Sequence, residues 1–457
     1  MTIRNKLGFV TLLLTTASAV CFTPGFAKAA PGASSAGSIS ESLANFLPTT
    51  SSFCAIGADS GKTYVDVRSD LLLAPASTQK LLVTASALNS LGALFTAHTD
   101  VFVVGGIKNG VAKTVFIRGG LDPGFTTERA FLLARAVRSY GITKINELFL
   151  DDTALVSELV PQGARAFLSG ISSFGLNWNS ATVRGCLAAG SETPNVIVDP
   201  FEFKARVRQT VRRGSVSNLS VTRGATDDEI AASGVIAAGA CAEEYLAVAD
   251  PVRYTSAVLK GLFAAAGVES DTVTSRKVPA AAKLLLSFPS RPLEELIKDM
   301  NYYSNNNMAE MFVALLGERS GEFSRDLGLE RLRTEVKSRT PKSGALNLVD
   351  GSGLSPANRI SAKVVCDTLA QEYRNPDTQL TFFASLPQFG VSGTMKKRLS
   401  TVSGRAKTGS LSNVSSLAGL VYARSEPLVF AIIQNKVADL PRAKAAEDVL
   451  VEKFSKL

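Results

Sequence analysis

The chain has 457 residues, 46% of them hydrophobic, and a formal charge of +9, which is too long for one simple domain and apolar enough for several cores. With a single histidine, a Ser-His-Asp or Cys-His hydrolase would rest on one imidazole, and a zinc site would lack its commonest ligand. The basic residues form no long run, which argues against nucleic acid as a partner.

Residues 1–29 read as a secretory signal: Arg4 and Lys6, an apolar run from Leu7 to Val20, then Ala27-Lys28-Ala29 as a cleavage site. Val20 stands where lipid attachment at Cys21 would want a small residue. Removing the signal takes away Arg4, Lys6 and Lys28 and no acid, so the charge falls to +6. An exported, periplasmic protein of that charge associates loosely with polyanionic envelope polymers. No other stretch is long and apolar enough to span a bilayer.

Residues 30–50 form an Ala-, Gly- and Ser-rich leader. Residues 52–74 alternate as strands around the turn Ala58-Asp59-Ser60-Gly61. Pro75 then precedes Ala76-Ser77-Thr78-Gln79-Lys80, and an apolar run at near-helical spacing follows. Ser77 and Lys80 thus share one face of a first helical turn. A serine hydroxyl needs a neighbouring base, and a lysine serves if burial lowers its pKa. Two fixed residues can arise by chance, and taken alone an ordinary helix start is the better reading of them. His98, at the end of this helical region, reads as a surface or capping residue.

From residue 99 the texture turns to short β-like runs, Val101–Val104 and Val115–Arg118. Gly119–Gly124 is a turn; it lacks the Lys-Ser/Thr ending of a phosphate loop. A helix at 126–140 leads to a strand at Glu147–Leu150, which ends in Asp151-Asp152-Thr153. Residues 188–242 carry further β-runs, and Tyr254–Ala266 is an amphipathic helix ended by Gly267. In an oxidising compartment Cys186 and Cys241 are the pair to bond, whereas Cys54 and Cys366, in apolar contexts, read as buried free thiols.

At about 283 strand and helix return, and Asn301-Tyr302-Tyr303-Ser304-Asn305-Asn306-Asn307 runs into an apolar helix. Such a cluster caps a helix or aims hydroxyl and amide groups into a cleft. Asp350–Ser355 is a polar turn. Gly404–Leu411 contains Lys407-Thr408-Gly409-Ser410 and precedes strands at Leu417–Ala423 and Leu428–Gln434.

Ser77-x-x-Lys80, Ser304-x-Asn306 and Lys407-Thr408-Gly409 stand in the order found in penicillin-interacting serine enzymes. The chain resembles one subgroup of these, the class C low-molecular-mass penicillin-binding proteins, which are D-Ala-D-Ala carboxypeptidase/endopeptidases. Further matching stretches are Gly119–Pro123, Met308-Ala309-Glu310, Asp350–Ser355, Gly393-Thr394-Met395 and Ala406–Ser410. The resemblance implies an α+β fold: a β-lactamase-like transpeptidase domain, with an antiparallel sheet flanked by helices, at 30–98 and 283–457. Ser304 follows Ser77 by 227 residues. That spacing makes room for a large insertion, in which the resemblance implies two added domains, one at 99–187 and 243–282 and a β-rich one nested in it at 188–242. The position after Ser355, often basic in the family, is Pro356 here, with Arg359 nearby as its replacement.

The resemblance also implies a mechanism without metal or cofactor. Ser77 attacks the carbonyl between two D-alanines with neutral Lys80 as base. The backbone N–H groups of Ser77 and Ser410 hold the oxyanion, worth roughly 3–4 kcal/mol in comparable sites. Ser304, held by Asn306 and Lys407, protonates the leaving D-Ala, whose carboxylate binds Lys407 and Thr408. The implied partners are peptidoglycan peptides, β-lactam antibiotics and a second copy of the chain. The rivals are a serine β-lactamase, which would want a Glu-bearing loop after Ser304 of the class A kind, a non-catalytic penicillin-binding envelope protein, and a structural scaffold.

Overall fold

The computed structural model describes residues 36–457 apart from 157–161, 225, 227, 271–272 and 342–344. The secretory signal read at 1–29 lies outside the described residues.

The first block runs α1 (Ala36–Leu43), β1 (Ser51–Gly57), β2 (Thr63–Val67), a 3-10 turn (Ala76–Gln79) and α2 (Lys80–Leu91). Every residue of β1 is buried, as a central strand requires. The sequence places Ser77 in the first turn of an α-helix, whereas the structure sets it in the 3-10 turn, with Ala76 left-handed at φ 49°. The neighbouring loop imposes this tight path: a Cβ on Gly353 would stand 1.9 Å from the Ala76 carbonyl oxygen.

The second block comprises β3 (His98–Lys108), β4 (Val111–Arg118), α3 (Thr127–Ser139), β5 (Lys144–Asp151), β6 (Ser180–Cys186), β7 (Asn195–Asp199), β8 (Arg206–Gly214) and β9 (Asn218–Arg223). It continues through β10 (Glu229–Ala237), β11 (Cys241–Ala247), α4 (Pro251–Ala265), β12 (Glu269–Ser270), β13 (Val273–Ser275) and β14 (Lys283–Pro289). One sheet is ordered β12-β5-β4-β3-β14, with β13 also on β5, and two three-stranded sheets are ordered β11-β6-β7 and β8-β10-β9. Helices α3 and α4 share a buried apolar cluster with the first of these sheets. His98 does not end a helix: it is the exposed first residue of β3, opposite Pro289 of β14.

The third block is α5 (Leu293–Tyr303), α6 (Asn306–Leu316), α7 (Arg325–Arg339), α8 (Ala362–Arg374), α9 (Gln379–Ala384), β15 (Gly404–Leu411), β16 (Val414–Tyr422), β17 (Pro427–Asn435) and α10 (Leu440–Phe454). Side-chain caps from Asn305, Ser324, Ser361 and Asp439 start α6, α7, α8 and α10. Strands β15-β16-β17-β1-β2 form an antiparallel sheet. It joins the start of the chain to its end. One face packs on α2, α6 and α8, the other on α1 and α10. The architecture is α+β, an antiparallel sheet between helical layers.

Cys186 and Cys241 are directly opposed on β6 and β11 and form a disulfide. The expectation of free thiols at Cys54 and Cys366 is wrong: they too are bonded, tying β1 to α8. Both are buried, and an apolar setting suits a disulfide as well as a thiol. Their separation of 312 residues hides the contact from any local reading.

Candidate active site

Ser77 lies half-buried in the 3-10 turn, and Lys80, the first residue of α2, is fully buried beneath it. The Lys80 Nζ donates to Ser77 Oγ at 3.0 Å, to Asn306 Oδ1 at 2.8 Å and to the Ser352 carbonyl at 2.7 Å. Burial pulls the Lys80 pKa down to about 7, against a smaller upward pull from Asp350 and Glu310. A lysine near neutrality, in contact with a hydroxyl, can take its proton.

The asparagine cluster divides its work. Asn305 caps α6 by accepting from the Met308 N–H at 3.0 Å. That frees its neighbours for the cleft. Ser304 sits left-handed, φ 57°, at the C-terminus of α5, and Asn306 presents its amide to Lys80. The other side of Asn306 donates from Nδ2 to the Phe167 carbonyl at 2.9 Å, so the turn Ala166–Leu168 between β5 and β6 borders the site.

Lys407 is fully buried in β15, the edge strand of its sheet. Its Nζ donates to Ser304 Oγ at 2.8 Å and to the Thr408 carbonyl at 2.9 Å. Burial, and then the charge of Lys80, push the Lys407 amine well below its ordinary value. A substrate carboxylate at this point would favour the cation again. Thr408 Oγ1 donates to Thr394 Oγ1 at 2.8 Å.

Gly409 lets β15 run against the nucleophile turn. A Cβ there would lie 2.8 Å from the Ser77 backbone nitrogen and 2.9 Å from the Pro75 carbonyl oxygen. Thr78 and Ser416 both donate to that carbonyl, at 2.7 and 2.6 Å, pinning the turn. Ser77, Ser304, Asn306 and Ser410 line one cavity of about 410 Å³, together with Phe167 and Leu354. All eight residues singled out in the sequence for catalysis or binding therefore lie at one cleft or in the strand segment that borders it.

Sequence reading missed the buried scaffold behind Lys80. Glu310 Oε1 accepts from the Gly351 and Ser352 N–H groups at 2.9 and 2.8 Å, and its Oε2 from Arg325 Nε at 2.8 Å. Asp350 accepts from the Gly353 and Ser355 N–H groups at 2.7 and 2.6 Å and from Asn358 Nδ2 at 2.9 Å. Burial, and the adjacent Glu310 carboxylate, hold the Asp350 pKa above its ordinary value. These bonds fix the Ser352 carbonyl under Lys80. Glu310 and the 350–355 turn are visible in sequence, but nothing there says they meet. Arg359 lies exposed in the loop after Pro356, where its Nη1 donates to the carbonyls of Pro356 and Asn358.

Residues 37–456 match the model of the D-Ala-D-Ala carboxypeptidase 3 (S13) family. A D-alanyl-D-alanine carboxypeptidase from Actinomadura sp. strain R39 is 29% identical over 419 residues, 84% of this chain and 77% of the relative. D-alanyl-D-alanine carboxypeptidase DacB from Haemophilus influenzae is 25% identical over 418 residues, 83% of this chain and 84% of the relative. The crystal structure of penicillin-binding protein 4 from H. influenzae matches with a TM-score of 0.76 at 24% identity, covering 91% of this chain and 99% of that one, which places the fold. With a match across nearly the whole described chain and a serine–lysine pair at its cleft, this chain belongs to the D-Ala-D-Ala carboxypeptidase 3 (S13) family and is a serine-type hydrolase of that kind.

Proposed function

We propose that the chain removes the terminal D-Ala from peptidoglycan stem peptides through an acyl-enzyme on Ser77, and that β-lactams acylate the same hydroxyl. The observation that carries this reading is the pairing of each serine with its own buried lysine, Ser77 with Lys80 and Ser304 with Lys407. Lys80, neutral at working pH, takes the Ser77 proton as Oγ attacks the carbonyl carbon. The backbone N–H groups of Ser77 and Ser410 receive the oxyanion. As the C–N bond breaks, the leaving nitrogen takes a proton through Ser304, which Lys407 holds. The proton that Lys80 took from Ser77 replaces it on Ser304, leaving Lys80 neutral for the next step. Lys407 and Thr408 bind the leaving carboxylate, and Gly409 lets the strand approach. Water then attacks the ester and restores Ser77.

In this reading the catalytic domain is 30–98 with 283–457, the inserted domain 99–187 with 243–282, and the nested domain 188–242. Among the described residues each of the three parts has a sheet of its own, β15-β16-β17-β1-β2, β12-β5-β4-β3-β14 and β8-β10-β9, and these sheets with their distinct apolar clusters support that division. A fourth sheet, β11-β6-β7, joins the inserted and nested parts by pairing β7 with β6. Residues 1–29 direct export to the periplasm, and the basic mature chain rests loosely on the envelope. Among the described residues no helix is long and apolar enough to cross a membrane.

Intact-protein mass spectrometry with penicillin tests the proposal. The expected result is one covalent adduct that disappears in Ser77→Ala. No adduct, or one that survives the substitution, would overturn it.

A further inference from the structure

Of the asparagines after Ser304, Asn305 caps α6 and Asn306 faces Lys80, and Asn307 has a part in neither task. It is buried, 3% exposed, and its Nδ2 donates to Ser169 Oγ at 3.2 Å and to the Gly170 carbonyl. Its Oδ1 is buried with no hydrogen-bond partner among the described residues, so the amide is kept for its donor end. Both acceptors belong to the insertion. They lie in the stretch that also carries the Phe167 carbonyl, which accepts from Asn306 Nδ2 at 2.9 Å. The Gly170 carbonyl accepts from Asn179 Nδ2 as well, at 3.0 Å, and Ser172 Oγ donates to Asn179 Oδ1 at 3.2 Å. Residues 166–170 thus form a strap, tied to the insertion at Asn179 and to the start of α6 at Asn306 and Asn307.

A side-chain amide donates at one end and accepts at the other. Because Phe167 offers an oxygen to Asn306, the Nδ2 end turns to the strap and the Oδ1 end to Lys80 Nζ, at 2.8 Å. That orientation matters for the base. A neutral lysine amine has two N–H bonds and one lone pair. Three oxygens contact Nζ: Ser77 Oγ, Asn306 Oδ1 and the Ser352 carbonyl. The last two have no proton to give, so they take the two N–H bonds and leave the lone pair facing the Ser77 hydroxyl. As Oγ attacks, its proton passes to that lone pair, and the resulting ammonium finds an oxygen for each of its three N–H bonds. A reversed Asn306 amide would turn its own N–H groups to Nζ and draw the lone pair away from Ser77.

We infer that the 166–170 strap, clipped to α6 by Asn307, is a positioning device for the reaction: it holds Asn306 in the orientation that aims the Lys80 lone pair at Ser77. The inference rests on the DD-peptidase reading. It makes a stretch of the insertion part of the catalytic centre, and Asn307 a positioning residue that acts through Asn306.

Stopped-flow acylation by penicillin, followed over concentration and pH, separates binding from the chemical step. Asn307→Ala unclips the strap yet leaves the Gly170 carbonyl its bond from Asn179. Asn179→Gly loosens the same carbonyl from the far side, and glycine suits the left-handed backbone there, φ 53°. The charged groups facing Lys80, namely Asp350, Glu310 and Lys407, are kept in both variants. For Asn307→Ala the expected result is a saturating acylation rate lowered about tenfold with the half-saturating concentration unchanged. Its pH midpoint should move to lower values, because Asn306 no longer holds an acceptor toward the ammonium. An unmoved midpoint, whether or not the rate falls, reduces the strap to packing and overturns the inference. If circular dichroism shows Asn307→Ala unfolded, the midpoint of Asn179→Gly, a residue outside the cavity around Ser77, decides by the same criterion. A parent enzyme that forms no adduct on Ser77 refutes the DD-peptidase reading itself, whereas a parent that labels normally beside an unmoved midpoint refutes the strap alone.

Discussion

Lys80 sets the pH response at the scale of single residues. Its amine is the base only when neutral, and its pKa is lowered to about 7. Acylation by penicillin should therefore rise as pH increases through about 7 and level off above it, and Lys80→Ala should abolish it. His98→Ala should leave the whole profile in place, since that side chain lies exposed at the start of β3. If stopped-flow acylation of His98→Ala collapsed as Lys80→Ala does, the lysine mechanism would fall. Glu310 offers a finer probe. Its carboxylate raises the Lys80 pKa and holds the two N–H groups that position the Ser352 carbonyl. Glu310→Gln removes the charge and turns an amide toward Arg325, so the acylation midpoint should move to lower pH as the rate falls. Breaking such a buried pair should also cost roughly 3 kcal/mol of stability. A stability loss with an unmoved midpoint would reduce Glu310 to a structural role.

At the scale of elements, β15 and the nucleophile turn act as one part. The first atoms a side chain at 409 would meet are Ser416 Oγ, the Ser77 nitrogen and the Pro75 oxygen, at 2.3, 2.8 and 2.9 Å. Gly409→Ala must then push the strand off the turn and spoil the alignment of the Ser77 and Ser410 N–H groups. Losing one oxyanion donor costs about a hundredfold or more in rate, and penicillin acylation of Gly409→Ala should fall by about that factor while circular dichroism is unchanged. Near-normal acylation would mean that the strand does not set the oxyanion site.

Such elements also show what the sequence could reveal. Ser77 and Lys80 declare their shared face because three residues in a helical turn fix it, and the hairpin at 58–61 follows from its turn residues. The asparagine cluster permitted two readings, and both hold, Asn305 as cap and Asn306 in the cleft. Periodicity carries no record of distant meetings. The Phe167 carbonyl reaches Asn306 across 139 residues, Glu310 meets a turn 41 residues on, and Cys54 meets Cys366 across 312. The 3-10 path at Ser77 was equally hidden, because it is imposed by Gly353 and Gly409 from other parts of the chain.

The whole molecule must let a long insertion leave and re-enter without disturbing the cleft. It does so at paired points. The Ser290 N–H donates to the Ala97 carbonyl at 2.7 Å, the Ala97 N–H to Ser290 Oγ at 3.0 Å, and His98 opposes Pro289 in the β3–β14 register. The arrangement repeats one level down, where Cys186 opposes Cys241 on β6 and β11 and the bond between them closes a span of 55 residues. The segment between has its own sheet, β8-β10-β9, and its own small apolar cluster of Leu187, Val211, Leu219, Ala232 and Ile236. So few buried side chains give a nested unit little stability of its own. In the chain-entropy model a disulfide closing a loop of that length contributes about 4 kcal/mol, a large share for a unit of this size. Replacing both cysteines by serine should therefore open 187–240 before the remainder, with native hydrogen exchange there accelerating while 36–98 and 283–457 stay protected. Penicillin labelling of Ser77 should persist at the same temperature, because β15, α2 and α6 do not depend on that segment for their packing. Loss of labelling together with the fast exchange would show that the nested unit and the catalytic sheet unfold as one cooperative body, and the proposed division into domains would fail.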